Sequence, residues 1–435
     1  MRHLSNSIGR AGKTIFALTF CLVLLSCVST SKSGPVQPDV TVPESEEPPT
    51  KEILPETDAP APLVADADGV LRQQVGFDAL PGWDEQTQIP ALLAFLGSCK
   101  KLTKATGQTN GNTNYWGLPC AQARKLQQNP AGLSKNLTRQ FFEAWFTPFA
   151  LSLPNTDQGL LTGYYEPELP VRAAPDLEYS EPILARPDDL VTVSLRRMDP
   201  SLPDKKLVGR VSKGQLQPYY SRGEIRQSTG KPLAWGRPID VFFLQVQGSG
   251  RIRFAGGATK RAAFAGHNGL RYSSIGRELI NRGELTAENA SKKAIENWMQ
   301  QAGPTAAQQL MNTNRRYIFF ESQEILNSQL GPKGTQGVAL TARASLAIDP
   351  RFHAFGSPIW IAAKLPENPK DWRGKPTQFL AIAQDTGGAI KGALRGDLFF
   401  GSGTGAGALA GIQKHSSRWW TLMPNQMAKQ RKNSS

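Results

Sequence analysis

Residues 381–411 read AIAQDTGGAIKGALRGDLFFGSGTGAGALAG, and the rest of the chain is interpreted outward from them. A short apolar run, Leu380–Ala383, has the look of a buried strand. It ends on Asp385, which is followed by Thr386, Gly387 and Gly388. Twelve residues later Asp397 precedes another apolar run, Leu398–Phe400, and Asp349 lies upstream after Leu346, Ala347 and Ile348. A carboxyl group at a strand end beside glycines is accessible to a ligand. Partial burial raises its pKa, which leaves a proton available for acid/base chemistry near neutral pH. Gly401–Gly411 lacks the lysine of a phosphate loop and has no acidic residue about 20 residues on to hold a ribose, so it reads as a tight turn lining a groove.

Asp385-Thr386-Gly387 also matches the triplet of aspartic proteases, but those enzymes need two such carboxylates. This chain has one triplet, so the protease reading requires a dimer. The four histidines, His3, His267, His353 and His415, are scattered, which argues against a Ser-His-Asp hydrolase or a histidine metal centre. His267 sits in a polar stretch, Ala265–Gly269. Gln245-Val246-Gln247-Gly248-Ser249-Gly250 reads as a strand, Val241–Gln247, ending in amides and backbone N–H groups that suit a sugar-like ligand.

The first residues have an export signature. Arg2, Arg10 and Lys13 precede the apolar Thr14–Ser26, whose 13 residues are too few to span a bilayer. The run closes in Leu24-Leu25-Ser26-Cys27, a lipobox-like sequence. Residues 1–26 are therefore expected to be a lipoprotein signal peptide and Cys27 the lipidated residue, anchored to a membrane without spanning it. Val28 in place of an aspartate points to the outer membrane. Residues 27–74 are rich in proline and acid and are expected to form a disordered tether, of which residues 28–70 would reach roughly 130 Å extended or about 40 Å as a coil. With Cys21 and Cys27 accounted for, Cys99 and Cys120 remain. In an exported protein this pair is expected to form a disulfide around Trp116; without nearby histidine it makes no zinc site.

Of the total charge of +14, +3 lies in residues 1–26 and −7 in residues 28–70, which leaves +18 on residues 71–435. Such a body attracts anions. Export disfavours nucleic acid and favours lipid head groups or a carboxylate-bearing wall polymer. Helical periodicity marks Ile89–Leu102 and Asn136–Phe146, where Phe141, Phe142, Trp145 and Phe146 read as core. Short strands dominate from Leu160 onward, with a helical interlude over Ile275–Ile280 and 291–301.

In this order and spacing, several segments resemble the membrane-bound lytic murein transglycosylase A family: Leu161–Pro167 (LTGYYEP), Ala234–Arg237 (AWGR), Phe243–Gly250 (FLQVQGSG), Tyr272–Arg277 (YSSIGR), Asn314–Phe320 (NRRYIFF) and Ala383–Gly392 (AQDTGGAIKG). Residues 330–425 resemble that family's C-terminal module with three aspartates, which fall here at Asp349, Asp385 and Asp397. The resemblance implies a mainly β protein with a helical N-terminal part, in which a smaller β-domain is inserted into a double-psi β-barrel and a groove runs between them. The larger domain would comprise 75–169 and 316–425, the insert 170–315, and a basic tail 426–435.

The implied reaction cleaves the β-1,4 bond between N-acetylmuramic acid and N-acetylglucosamine in peptidoglycan strands and leaves 1,6-anhydromuramoyl ends, without a cofactor, in wall turnover. Asp385 would be the catalytic acid and base, with Asp397 and Asp349 as supporting candidates. Thr162, Tyr165, Gln245, Gln247, Gly248, Ser249, Asn268, Thr386 and Gly387 are the groove candidates. The implied location is the periplasmic face of a Gram-negative outer membrane, beside proteins of wall synthesis. The rival readings are a non-catalytic peptidoglycan-binding lipoprotein and a glycosidase that uses water.

Overall fold

A computed structural model describes residues 66–103, 115–128, 132–225, 229–287 and 289–434. The signal, Cys27 and most of the tether lie outside the described residues. Strand β1 (Leu71–Gln74) opens the fold, followed by α1 (Ile89–Leu102), α2 (Gly117–Gln127), α3 (Lys135–Trp145), β2 (Phe146–Ser152) and β3 (Gly159–Glu166). A long middle region follows: β4 (Glu168–Val171), β5 (Glu181–Leu184), β6 (Val191–Ser194), α4 (Leu195–Met198), β7 (Lys206–Ser212), β8 (Gln215–Pro218), β9 (Pro232–Gly236), α5 (Pro238–Gln247), β10 (Gly250–Phe254), β11 (Thr259–His267), α6 (Ile275–Asn281), α7 (Lys292–Thr313) and β12 (Ile318–Gln323). The last region holds β13 (Ser345–Ala347), β14 (Pro358–Leu365), β15 (Lys375–Asp385), β16 (Arg395–Ser402), α8 (Gly403–Ala410), β17 (Lys414–Pro424) and α9 (Asn425–Ser434).

The main sheet runs β1-β2-β17-β14-β15-β13-β16-β3, and β17 also pairs with β3. That second pairing closes six strands into a barrel and leaves β1 and β2 as an extension. Two of the barrel contacts, β13–β15 and β3–β16, are parallel. The strands alternate between two cores. Ile359, Ile361, Ala381 and Ala383 pack with Leu161, Leu346, Leu398 and Trp419. Their neighbours Trp360, Leu380 and Ile382 pack instead against α1 and α3 through Phe95, Phe141 and Phe142. Burial on both faces is why these strands read as unbroken apolar runs. The Cys99–Cys120 disulfide joins α1 to α2, and Trp116 packs against the same core cluster.

The middle region forms smaller sheets, β12-β11-β10-β4, β5-β9 and β6-β7-β8. Its first sheet has its own core, from Leu169, Val241, Ile252 and Phe320 among others. Strand β12 pairs with β11 in this sheet, and the barrel strands resume with β13. Strand β1 pairs with β2 inside the stretch 27–74 read as tether. The described part of the tail, 426–434, falls in α9.

Two local readings are corrected. Val241–Gln247 is helix α5, not a strand: Pro238 opens it, Asp240 sits in the first turn, and Gly248 ends it at a left-handed φ of 85°. The apolar run VFFL had carried the strand reading, but the capping residues on either side outweigh it. Likewise the glycine-rich 403–410 is helix α8, not a turn. Its small residues allow close packing on β3: a Cβ at Gly407 would lie 2.5 Å from the Tyr165 ring.

Candidate active site

Register places the two aspartates. Ala347 on β13 pairs with Asp385 on one side and with Asp397 on the other. The two aspartates therefore stand on strands separated by one, their backbones roughly 10 Å apart. Both line a cleft of about 1080 Å³ whose walls come from the barrel rim and from the middle region.

Asp385 is half-buried at the C-terminal end of β15. Its Oδ1 accepts hydrogen bonds from the Thr335 amide (2.9 Å), the Thr335 hydroxyl (2.8 Å) and the Thr386 amide (2.9 Å). Its Oδ2 accepts one from the Tyr164 hydroxyl at 3.1 Å. Burial pushes the carboxyl above its ordinary range, and these donors pull it down without cancelling the rise. Three donors occupy Oδ1, so Oδ2 is the oxygen suited to carrying an exchangeable proton. Tyr164 is held well above its usual pKa by burial and by both aspartates, and so stays a neutral donor.

Asp397 accepts a 2.6 Å bond from the Thr162 hydroxyl, which in turn accepts one from Arg395 at 2.8 Å. Burial raises it to about 6; Thr162 and Arg395 oppose the rise, and Asp385 adds to it. Thr162 thus acts on Asp397 and is not among the cleft-lining residues.

Asp349 is elsewhere in the network. Its buried carboxylate is gripped by Arg351 (2.6 Å) and by the Gly392 amide (2.9 Å). Burial alone would raise it, but these partners hold it at about 2. It anchors the loop after β13 and does not line the cleft.

Tyr165, Gln245, Gln247, Gly248, Ser249, Thr386 and Gly387 all line the cleft. Gln247 accepts from the Tyr165 amide (3.2 Å) and Ser249 from the Phe264 amide (3.1 Å), so both also brace the wall. Asn268 does not line it. Its amide donates to the Tyr220 and Arg315 carbonyls and accepts from Tyr317, which makes it a bracket for a buried turn. His267 does line the cleft, lowered to about 4 by burial and Arg316, and so is a neutral wall group.

Thr335 and Tyr164 were not singled out from sequence. Tyr164 lay inside a quoted motif, whereas nothing around Thr335 marks it. The segment around Thr335 is fixed from behind: Gln336 accepts from Ser98 on α1 (2.8 Å), and Gln384 donates to Ser98 and to the Ala94 carbonyl. The wall charge is one-sided. Arg186, Lys206, Arg222, Arg316, Lys333 and Lys391 line the cleft against Asp385 and Asp397.

Residues 160–321 match the family described as the MltA specific insert domain, and residues 344–423 match the 3D domain. Membrane-bound lytic murein transglycosylase A of Escherichia coli K12 is 31% identical over 293 residues, covering 67% of this chain and 72% of that protein. The crystal structure of membrane-bound lytic murein transglycosylase from Agrobacterium tumefaciens superposes with a TM-score of 0.69 at 32% identity, over 82% of this chain and 99% of the other. That of MltA from Neisseria gonorrhoeae gives 0.68 at 30%, over 83% and 94%.

Proposed function

The chain belongs to the membrane-bound lytic murein transglycosylase A family, and on that footing we propose how its cleft cuts peptidoglycan. It is a peptidoglycan lytic transglycosylase, a lyase acting on the glycan strand. We assign the chemistry to Asp385. Its protonated carboxyl gives a proton to the glycosidic oxygen as the bond to the muramoyl C1 breaks, and N-acetylglucosamine leaves with a free 4-hydroxyl. The resulting carboxylate takes the proton of the muramoyl C6 hydroxyl as that oxygen bonds to C1. The 1,6-anhydro ring closes, Asp385 is restored, and no water is consumed. One carboxyl serves both steps because the first leaves it in the form the second needs. Hydrolases instead need a second carboxylate to handle water or act as nucleophile.

The observation that carries this assignment is the environment of Asp385: half-buried, raised in pKa, oriented by Thr335 and Tyr164, and open to a cleft of sugar-chain size. Asp397 supports it as a second negative centre facing the developing positive charge on the sugar ring. Tyr165, Gln245, Gln247 and Ser249 form the wall that holds the sugars.

We also read the barrel as double-psi with the segment 170–315 inserted. Strands on both sides of that segment build the barrel, and its parallel β3–β16 and β13–β15 pairs suit that topology. Lipidation at Cys27 would hold the body by its tether at the periplasmic face of the outer membrane, within reach of the wall and of synthesis proteins.

The test is Asp385→Asn with purified sacculi. Asparagine cannot donate and reclaim the proton, so turnover should fall about a thousandfold while strand binding persists. Mass spectrometry of wild-type products should show anhydro ends. Reducing ends alone would assign a water-using glycosidase, and substantial Asp385→Asn turnover would remove Asp385 from its role.

A further inference from the structure

The main cleft does not stop at its own rim. Arg186, Phe264 and Ala265 line both it and a second hollow of about 530 Å³, which Leu233, Phe320 and Glu321 also line. The second hollow is open to solvent rather than enclosed, which suits a chain laid across it. Phe264 forms the saddle between the two hollows. It is 47% exposed, an unusual position for a large aromatic side chain in a strand. It is also held in place: its amide donates to Ser249, and the β11–β12 register shifts between Phe264 and Gly266, which re-aims this part of the strand. Beside it Arg186 is exposed, yet its Nη2 donates to the Leu190 carbonyl at 2.5 Å, which fixes the guanidinium over the saddle.

A glycan backbone of N-acetylated sugars carries no charge along its rings, so it gives no reason for the cations that line the cleft. The carboxylates of murein lie on the peptides that branch from the lactyl group. We propose that the Arg186–Phe264 saddle and the hollow beyond it are a binding site for the stem peptide. In this arrangement Arg186 takes a peptide carboxylate and Phe264 takes the peptide's apolar surface as the branch leaves the sugar cleft. Lys206, which lines the cleft, adds a second positive charge on the approach. Glu321 also lines the second hollow and accepts a 2.6 Å bond from Gln323, so the hollow carries one negative group beside Arg186's positive one.

This site deepens the peptidoglycan reading and rests on it. The test compares two substrates with the full chain: peptide-bearing strands, and the same strands stripped of peptide by an amidase. Arg186→Gln and Phe264→Ala should each raise KM about fivefold to tenfold on peptide-bearing strands. Neither should change kcat, and KM on stripped strands should move less than twofold. Arg186→Lys should restore part of the loss, because it keeps the charge but not the forked geometry. Equal losses on both substrates would make the saddle a sugar contact or a folding element and overturn the proposal. No loss on either would overturn it as well. If the wild-type chain cut neither substrate, the peptidoglycan reading itself would fall, a result distinct from both.

Discussion

Asp349 and Asp397 belong to one sequence pattern but face opposite electrostatic surroundings, and this difference is measurable. Asp397 sits at about 6 against an ordinary 3.8, so the folded state holds its proton more tightly than the unfolded chain. Its contribution is fully present below pH 3.8 and is lost as pH rises through about 6, a penalty of about 3 kcal/mol by pH 7. Asp397→Asn should therefore raise the Tm at pH 7 and have little effect at pH 3. Asp349 is depressed to about 2, so its stabilisation is present above pH 3.8 and disappears as pH falls through about 2. Asp349→Asn should cost about 2 kcal/mol at pH 7 and almost nothing at pH 2. Thermal melts of both variants across pH 2–8 check the two signs; matching slopes would refute the assignment. For Asp385 the readout is rate. Its carboxyl must be protonated to act, so kcat/KM should fall as pH rises through its elevated pKa. In Tyr164→Phe one donor to the carboxylate is lost, so that descent should begin at higher pH.

At the level of elements, the disulfide between α1 and α2 makes the clearest prediction. It spans a sequence separation of 21 residues in a fully buried setting, so its loss should cost about 3 kcal/mol. A reducing agent should lower the Tm, and Cys99→Ala with Cys120→Ala should match the reduced protein. An unchanged Tm would show that the helices hold without the cross-link. Elements with one dominant local signal were legible in sequence. α1 and α3 follow their apolar periodicity, and β14 and β15 follow their double burial. Helix α5 was misread because Val241–Leu244 is apolar all round, as it must be between two cores, and periodicity then says nothing. Helix α8 was misread because glycine has poor intrinsic helix propensity; packing against β3 overrides it. The place of Asp385 in the cleft, where the chemistry is proposed, was legible because strand end, carboxyl and glycines are contiguous. Thr335 was not, because its role exists only once Gln336 and Gln384 lock its loop to α1. Asn268 misled for the converse reason: a polar residue between histidine and glycine looks the same whether it faces a ligand or ties down a turn.

In the whole molecule, the barrel and the four-stranded sheet meet at a buried charge cluster. Glu166, at the end of β3, has no side-chain exposure and binds Arg251 of β10 (2.9 Å) and Arg261 of β11 (2.5 Å), with Ser402 as a further donor. Glu166→Gln would leave two guanidinium groups without their counter-charge and should cost about 3–5 kcal/mol in urea denaturation. It should also lower kcat/KM, because the same contacts fix how far apart the cleft walls stand. A stability loss below 1 kcal/mol would show that the cluster is dispensable. Closure of the barrel has a further consequence. Strand β17 bonds to β14, β2 and β3 together, yet among the described strands it comes after all of them in chain order. Until residues 414–424 arrive, the ring is an open sheet, and the rim that holds both aspartates has no fixed shape. The blade is thus forged only when that strand docks, and a polypeptide that could damage its own maker's wall stays blunt until then.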